Sequence, residues 1–162
     1  MNLTPGYFHF ADKNTKFGAV GASIGYTKYI NSSLGATLDA GYYMHTEKDN
    51  NIKERSGLFN ITGGIIYLPG KQTKSDFTVS THVMVGVSRY SRKTTYNNNS
   101  FGVDRFSVHF NIGAALNRRL NHSLIIRILQ ADYAPTFFYD AIQQNFRISA
   151  GIVYNIPRNN DR

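Results

Sequence analysis

Six ionisable residues fall inside segments of this sequence that otherwise read as apolar strands. They are Asp39, His82, His109, Arg127, Asp132 and Arg147. A buried charge without a partner is costly, so these side chains must be paired or hydrogen-bonded. Asp39 is the obvious anion for Arg127 or Arg147, and we expect it to be ionised and to lie near one of them. Such a cluster could form a proton or ion path, a small binding site, or a salt-bridged plug.

Two other kinds of chemistry can be weighed from residue types. His82 and His109 are expected on neighbouring strands at similar heights, but spacing nominates no third metal ligand. Ser80, His82 and Asp39 form a nominal serine-type trio, yet no nucleophile-elbow motif surrounds the serine. The chain has no cysteine, which excludes disulfides and thiolate chemistry. We therefore predict a protein without a metal site or a cofactor, and not an enzyme.

The elements that must position these residues show a period of two. Residues 146–156 read FRISAGIVYNI, and every even position is apolar while the odd positions are mostly small or polar. The same alternation runs through 34–45, 77–88 and 106–117. Successive side chains of a strand point to opposite faces. This pattern is typical of a transmembrane barrel with lipid outside and a crowded polar interior.

The alternation predicts eight strands. Their approximate bounds are 4–11, 15–30, 34–45, 57–68, 76–90, 105–117, 123–133 and 145–156. Many exceed the ~5–6 residues usual in globular proteins and match the ~9–11 residues of a tilted transmembrane strand. The predicted fold is therefore all-β: an eight-stranded antiparallel up-and-down transmembrane β-barrel, with one domain over 1–156 and a polar tail over 157–162.

The predicted interior favours the plug, since eight strands leave a space barely wide enough for side chains. Tyr43, His45 and Asn111 are expected to share it with the six ionisable residues. Arg127 and Asp132 have opposite parity on the seventh strand, so a regular strand would turn one of them towards lipid. We predict a β-bulge near Leu129, because one extra residue resets the alternation.

The predicted connections differ between the two ends of the barrel. Turns near 31–33 and 118–121 are tight, whereas 46–56, 91–104 and 134–144 are longer and polar. This asymmetry is expected of outer-membrane barrels, whose longer loops are extracellular. We predict that these loops contact lipopolysaccharide or a partner through Lys53, Arg55, Arg92, Lys93 and Tyr96. A merely solvated loop is an open alternative, and no nucleic-acid-binding motif supports a third one.

Composition agrees with one domain of 162 residues with a net charge of +8. The mean hydropathy is −0.34, and no apolar run is long enough for a transmembrane helix. A barrel hides its signal from hydropathy because only alternate residues face lipid. No signal peptide is visible in 1–10, so we expect a mature form or a fragment. The competing classes are a soluble lipocalin-like calyx for a hydrophobic ligand and, more weakly, a small pore or a barrel enzyme.

Four segments of the sequence form a recognisable series: Gly6-Tyr7, 77–89 (FTVSTHVMVGVSR), 110–133 (FNIGAALNRRLNHSLIIRILQADY) and 144–156 (QNFRISAGIVYNI). The last three resemble strands of a known family, the bacterial outer-membrane beta-barrel domain proteins, and Gly6-Tyr7 fits its opening strand. The resemblance implies an eight-stranded barrel like the transmembrane domain of outer-membrane protein A. It also implies an outer-membrane location, lipid and lipopolysaccharide as surroundings, and the barrel-assembly machinery as a partner during biogenesis.

One position departs from the pattern of that family. Its members end on an aromatic residue, which resembles the signal that the assembly machinery reads. Here Ile156 takes this place and a polar tail follows, although Tyr154 keeps an aromatic ring nearby. The resemblance supplies a fold and a location, and it implies no defined reaction.

Overall fold

The structure is a computed structural model that describes residues 1–11, 16–49, 52–69, 76–96, 99–138 and 141–155. These residues form nine strands: β1 (Asn2–Ala11), β2 (Lys16–Tyr29), β3 (Leu34–Asp49), β4 (Ile52–Tyr67), β5 (Phe77–Tyr96), β6 (Asn99–Arg119), β7 (Leu124–Tyr133), β8 (Thr136–Phe138) and β9 (Ala141–Tyr154). In this part of the chain, no helix is long and apolar enough to cross a membrane. Ile156 and the predicted tail lie outside the described residues.

The strands close into an antiparallel barrel. Each strand from β1 to β7 pairs with the next, β7 pairs with β9, and β9 returns to pair with β1. The short β8 pairs with β6 and β9, so it continues the path of β7 beyond Ala134 and Pro135. The ring therefore has eight positions, which confirms the predicted eight-stranded up-and-down barrel.

The predicted β-bulge is present on β7. Across from it, Leu116 pairs with Leu129 and Asn117 pairs with Arg127, so Ile128 has no partner on β6. Ile128 and Leu129 are both exposed on the outside of the barrel. The extra residue restores the alternation, because Arg127, Gln130 and Asp132 are then all buried inside.

The prediction that 46–56 and 91–104 are irregular loops is wrong. Pairing between β3 and β4 continues to Asp49 and Ile52, and pairing between β5 and β6 continues to Tyr96 and Asn99. Pairing between β4 and β5 also reaches Ile52 and Tyr96. Within the described residues, β2 pairs with β3 only as far as Met44. Residues 45–49, 52–57, 89–96 and 99–106 therefore form a four-stranded projecting sheet beyond the closed ring.

The error has a physical reason. Beyond the ring both faces of the projecting sheet are wet, and Lys, Arg, Glu and Thr are more numerous there than exposed apolar residues such as Phe101 and Val103. Hydrophobic alternation disappears there, while the backbone ladder continues unchanged. The third predicted loop, 134–144, is likewise partly ordered into β8 and the start of β9.

The outside of the barrel is an apolar belt. Its exposed residues include Val20, Ile24, Leu38, Phe59, Ile61, Ile65, Val79, Val83, Val85, Val87, Phe110, Ile112, Ile148 and Ile152. Aromatic residues lie near both of its ends, with Tyr26, Tyr67, Phe77 and Tyr154 towards the short turns and Tyr7, Tyr42, Phe59, Phe106 and Phe146 towards the projecting sheet. An apolar band flanked by aromatic girdles is the pattern of a barrel in lipid.

Two arginine–phenylalanine contacts mark the limits of the belt on β5 and β6. Arg118 lies over the ring of Phe77 with its guanidinium carbon 5.5 Å from the centroid, and Arg89 lies over Phe106 at 5.8 Å. The outward residues between these contacts on both strands are uncharged. The step from Phe77 to Arg89 spans roughly 40 Å along the strand, or about 30 Å along the axis at a tilt of ~40°. This height matches the ~30 Å hydrocarbon core of a bilayer.

Glycines permit the close approach of strands on the inward face. A Cβ atom at Gly64 would overlap the backbone oxygen of Val83 on β5, and one at Gly86 would overlap that of Ile61 on β4. These overlaps are with backbone, which cannot move aside as a flexible side chain can. The small residues of the predicted inward face therefore have a packing role in the narrow barrel.

Candidate functional site

Arg147 is the centre of the barrel interior. It stands on β9 with its side chain 1% exposed, and its Nε donates to Asp132 Oδ2 on β7 at 2.5 Å. Its Nη1 donates to Asp39 Oδ1 on β3 at 3.0 Å and to the Tyr43 hydroxyl at 3.3 Å. Of the two arginines considered as partners for Asp39, Arg147 makes the contact. One guanidinium thus links three strands across the interior.

Arg127 has different partners. Its Nε donates to Asn117 Oδ1 at 3.2 Å, and its Nη1 donates to Gln130 Oε1 at 2.6 Å. Gln130 in turn donates to Asp132 Oδ2 at 2.8 Å. The second buried arginine therefore reaches a carboxylate only through an amide.

Asp132 is the point where the network converges. Beyond Arg147 and Gln130, its Oδ1 lies 2.9 Å from His82 Nε2, a contact that is an ion pair when the imidazole is protonated. Gly113, directly opposite on β6, leaves room for this carboxylate, since a Cβ there would overlap Asp132 Oδ1. Three strands, β5, β7 and β9, meet at this one side chain.

His109 lies apart from this network. Its Nδ1 is 3.3 Å from Thr136 Oγ1 on β8, a hydroxyl that also accepts a hydrogen bond from Asn145 Nδ2 at 2.9 Å. His82 contacts Asp132 instead of His109, so the two histidines do not share a partner. Across the described ranges, no group of three or more potential metal ligands is assembled.

The nominal serine trio is not assembled either. Ser80 Oγ accepts a hydrogen bond from Asn117 Nδ2 at 3.4 Å. His82 is paired with Asp132, whereas Asp39 is bound by Arg147. Ser80, His82 and Asp39 are therefore not linked to one another by hydrogen bonds, and they do not form the nucleophile, base and acid of a catalytic triad.

The half of the interior nearer the projecting sheet is filled by large side chains. The ring of Phe8 lies between Tyr43 at 5.2 Å and His109 at 6.3 Å, measured between centroids, and all three are fully buried. Leu58 is buried beside them. Sequence reasoning placed Tyr43 and His109 inside but missed Phe8, because its short first strand gave little alternation to read.

Two cavities lie on the other side of this packing. One of about 190 Å³ opens near the short turns and is lined by side chains that include Thr78, Ser80, Asn117 and Arg127. The second, of about 20 Å³, is bordered by Asp39, His82, Arg127 and Gln130. Its volume and polar walls suit a single water molecule. The interior is thus a vestibule, a polar network and a packed layer in succession.

The predicted loop residues divide between the two faces of the projecting sheet. Lys53, Arg55 and Lys93 share the parity of the lipid-facing residues, and all three are exposed. Arg92 is on the opposite face, where its Nη2 donates to Glu54 Oε2 at 2.6 Å. This hydrogen bond raises the pKa of Arg92. Tyr96 ends β5 opposite Ile52 and Asn99, and its side chain lies outside the described part.

Comparison with solved structures supports the barrel. The crystal structure of Ail, the attachment invasion locus protein of Yersinia pestis, superposes with a TM-score of 0.71 and 15% identity, over 94% of this chain and 95% of Ail. Neisserial surface protein A matches with a TM-score of 0.70 and 12% identity, over 96% and 95% of the two chains. The N-terminal β-barrel domain of Pseudomonas aeruginosa OprF gives 0.52 and 15%, over 93% and 96%.

The chain has the fold of these eight-stranded barrels. No protein-family model matches it, and the sequence search found no curated protein of significant similarity. The identities of 12–15% carry the fold alone.

Proposed function

We propose that the protein is a bacterial outer-membrane β-barrel of 1–156 with a structural, interaction or surface-binding role. The observation that carries the proposal is the uncharged belt between the two arginine–phenylalanine contacts, because its height of about 30 Å suits a bilayer core. Ail, which shares the fold, has been solved in a phospholipid nanodisc. The projecting sheet would then stand outside the cell, and the short turns would face the periplasm.

A structural role also follows from the packed interior. The layer of Phe8, Tyr43 and His109, together with Arg147 and its two carboxylates, leaves no obvious route for solutes. The protein is therefore proposed to be neither an enzyme nor an open pore. The soluble calyx is contradicted by the structure, since a calyx needs its apolar face inside, whereas here the inward face is polar and the outward face apolar.

The proposed surroundings are outer-membrane lipid and lipopolysaccharide, with a single copy of the chain as the working unit and the barrel-assembly machinery acting during biogenesis. Support for an anionic surface ligand comes from Ail, which has also been solved with the heparin analogue sucrose octasulfate. The charge of +8 suits surroundings of this kind.

The proposal is tested by folding the purified chain into lipid vesicles. We expect it to partition with the vesicles and to migrate differently in gels before and after heating. Planar-bilayer recordings should show no steady conductance. A chain that remains folded in the aqueous phase would contradict the membrane location, and stable channels would contradict the plugged interior.

Orientation is tested with single cysteines, because the chain has none of its own. Ser100→Cys lies in the projecting sheet and His122→Cys in a short turn, and both native residues are exposed. A membrane-impermeant maleimide added to intact cells should label the first variant and not the second. Labelling of the second variant alone would mean that the topology is inverted.

A further inference from the structure

The two faces of the projecting sheet differ in charge, one being cationic and the other mixed. The strand register places Lys48, Lys53, Arg55 and Lys93 on the face that continues the lipid-facing side of the barrel. The other face carries Glu47, Asp49 and Glu54, along with Arg92 and Arg105. We call the first set the cationic face. An alternation of charge thus replaces the alternation of hydrophobicity found in the belt.

The cations of this face lie directly beside one another. Lys48 on β3 is the register partner of Lys53 on β4, and Arg55 on β4 is the register partner of Lys93 on β5. Like charges directly opposite on paired strands destabilise a sheet. An external anion that lies against this face would offset that repulsion.

Within the described residues, the acids near this face do not supply that anion. Glu54 bonds to Arg92 on the other face, and Asp104, the acid on the outward face, pairs with Arg89 at 2.9 Å. Over the described residues, none of the four cations makes an ion pair, and all four side chains are exposed. The cationic face is therefore available to a ligand.

The position of the cationic face relative to the belt indicates the ligand. Phe59 is the register partner of Arg89 at the limit of the belt, and Arg55 lies four residues before Phe59 on β4, in the projecting sheet. The step from Phe59 to Arg55 is roughly 13 Å along the strand and about 10 Å along the axis at a tilt of ~40°. A phospholipid headgroup layer is about 5–7 Å thick on each side of the hydrocarbon. Long Lys and Arg side chains can extend back towards it.

We infer that the cationic face binds phosphate groups of lipid headgroups in the leaflet from which the projecting sheet emerges. Arg offers paired donors that match phosphate oxygens, and Lys adds point charges beside them. The inference rests on the proposed membrane location. It also divides the predicted contact residues, since Lys53, Arg55 and Lys93 belong to the site while Arg92 does not.

The test uses the full chain folded in neutral detergent micelles and titrated at low salt with bisphosphorylated lipid A, with bound lipid counted by native mass spectrometry. The double variant R55Q/K93Q removes one pair of facing cations. The matched control R92Q/R105Q removes two arginines from the other face of the same sheet, with the same change in net charge. Each lost cation weakens binding by about fivefold, so we expect about a 25-fold rise in Kd for R55Q/K93Q.

The control variant should change Kd less than twofold. K48Q/K53Q, whose cations lie farther from the belt, should raise Kd more than the control does and less than R55Q/K93Q does. Lipid A that lacks one phosphate should bind the wild type less tightly. An equal loss of affinity for lipid A in R55Q/K93Q and in the control would overturn the inference, because the change in net charge would then explain both results. Binding of sucrose octasulfate that depends on Arg55 and Lys93, without binding of lipid A, would also overturn it in favour of a soluble polyanion.

The same samples separate this inference from the proposed function. Each variant is also folded into vesicles and checked for heat-dependent gel mobility. A wild type that enters bilayers but binds lipid A no better than a neutral lipid defeats the phosphate site alone. A wild type that fails to enter bilayers defeats the proposed membrane location.

Discussion

Two arginine–aspartate pairs of similar length occupy opposite settings in this barrel. Arg147 and Asp132 are 2.5 Å apart with side chains 1% and 0% exposed, whereas Arg89 and Asp104 are 2.9 Å apart with both side chains about half exposed. The first pair lies in the interior beside His82 and Gln130, and the second lies at the edge of the belt. Geometry alone makes them look alike, but their surroundings give them different energies.

The comparison shows that the two faces of the same strands have different surroundings in the ring and in the projecting sheet. In the proposed membrane location, one face of each strand of the ring must be apolar because it meets lipid, and the inward polar groups must satisfy one another. In the projecting sheet both faces meet water, so polar pairs are optional there and charge can be arranged for binding. Burial therefore decides which ion pairs hold the fold together.

The largest expected effect comes from breaking the buried pair. Asp132→Ala removes one carboxylate from Arg147, Gln130 and His82 together. Loss of one partner of a buried pair costs ~3–5 kcal/mol. Among the described residues, Asp39 would then be the one carboxylate facing the two buried arginines, Arg127 and Arg147. The loss of stability is measured as the difference in the free energy of unfolding between the wild type and Asp132→Ala, with both proteins folded in lipid vesicles and unfolded by urea.

The matched control is Asp104→Ala at the exposed pair. Its expected loss is below ~1 kcal/mol, as is usual for exposed ion pairs. Equal losses in the two variants would mean that water reaches Asp132 freely and that the interior is not a sealed network.

A second prediction compares the belt with the projecting sheet on one face of neighbouring strands. Val83→Arg places a charge in the middle of the belt on β5 and should cost ~2–4 kcal/mol in a bilayer. Ser100→Arg places the same charge on the outward face of β6 in the projecting sheet, where the native side chain is exposed. We expect it to fold as the wild type does. The yield of folded protein in vesicles checks both.

If Val83→Arg folded as efficiently as Ser100→Arg, the assignment of the belt to lipid would be wrong. A loss confined to the bilayer, with normal folding in detergent micelles, would strengthen it. The pair of variants thus locates the boundary that the two arginine–phenylalanine contacts mark.

The sequence predicts the ring well because its strands keep a strict period of two, with apolar residues on the outward face. The strand count, the bulge near Leu129 and the outward position of Val83 all follow from it. Partner choice inside is less predictable, since parity places Asp39, Arg127 and Arg147 on one face but does not say which arginine is nearer. The distance from Asp39 to each arginine depends on the stagger of the strands, which sets the height of β3 relative to β9 across the interior.

The sequence predicts the projecting sheet poorly for the opposite reason. Without lipid, nothing forces one face to be apolar, so Lys48, Lys53 and Arg55 look like a solvated loop. These cations alternate along the chain with Glu47 and Glu54, which is the period of a strand. A search for alternating hydrophobic residues does not detect alternating charges. Read as a strand, the segment would have predicted the cationic face.

The smallest expected effect concerns how the two kinds of ion pair respond to salt. In the projecting sheet, Glu54→Gln and Arg92→Gln form a double-mutant cycle whose coupling should be ~0.2–1 kcal/mol at low salt. At 1 M salt the screening length falls to ~3 Å, so this coupling should fall towards zero. A parallel cycle with Asp132→Asn and Arg147→Gln should keep its coupling at both salt concentrations, because buried pairs are screened much less. Unfolding in urea at the two salt concentrations measures all seven proteins, because the two cycles share the wild type. A salt-insensitive coupling between Glu54 and Arg92 would mean that the projecting sheet is shielded from water, against the exposure on which its proposed contact with lipid phosphates depends.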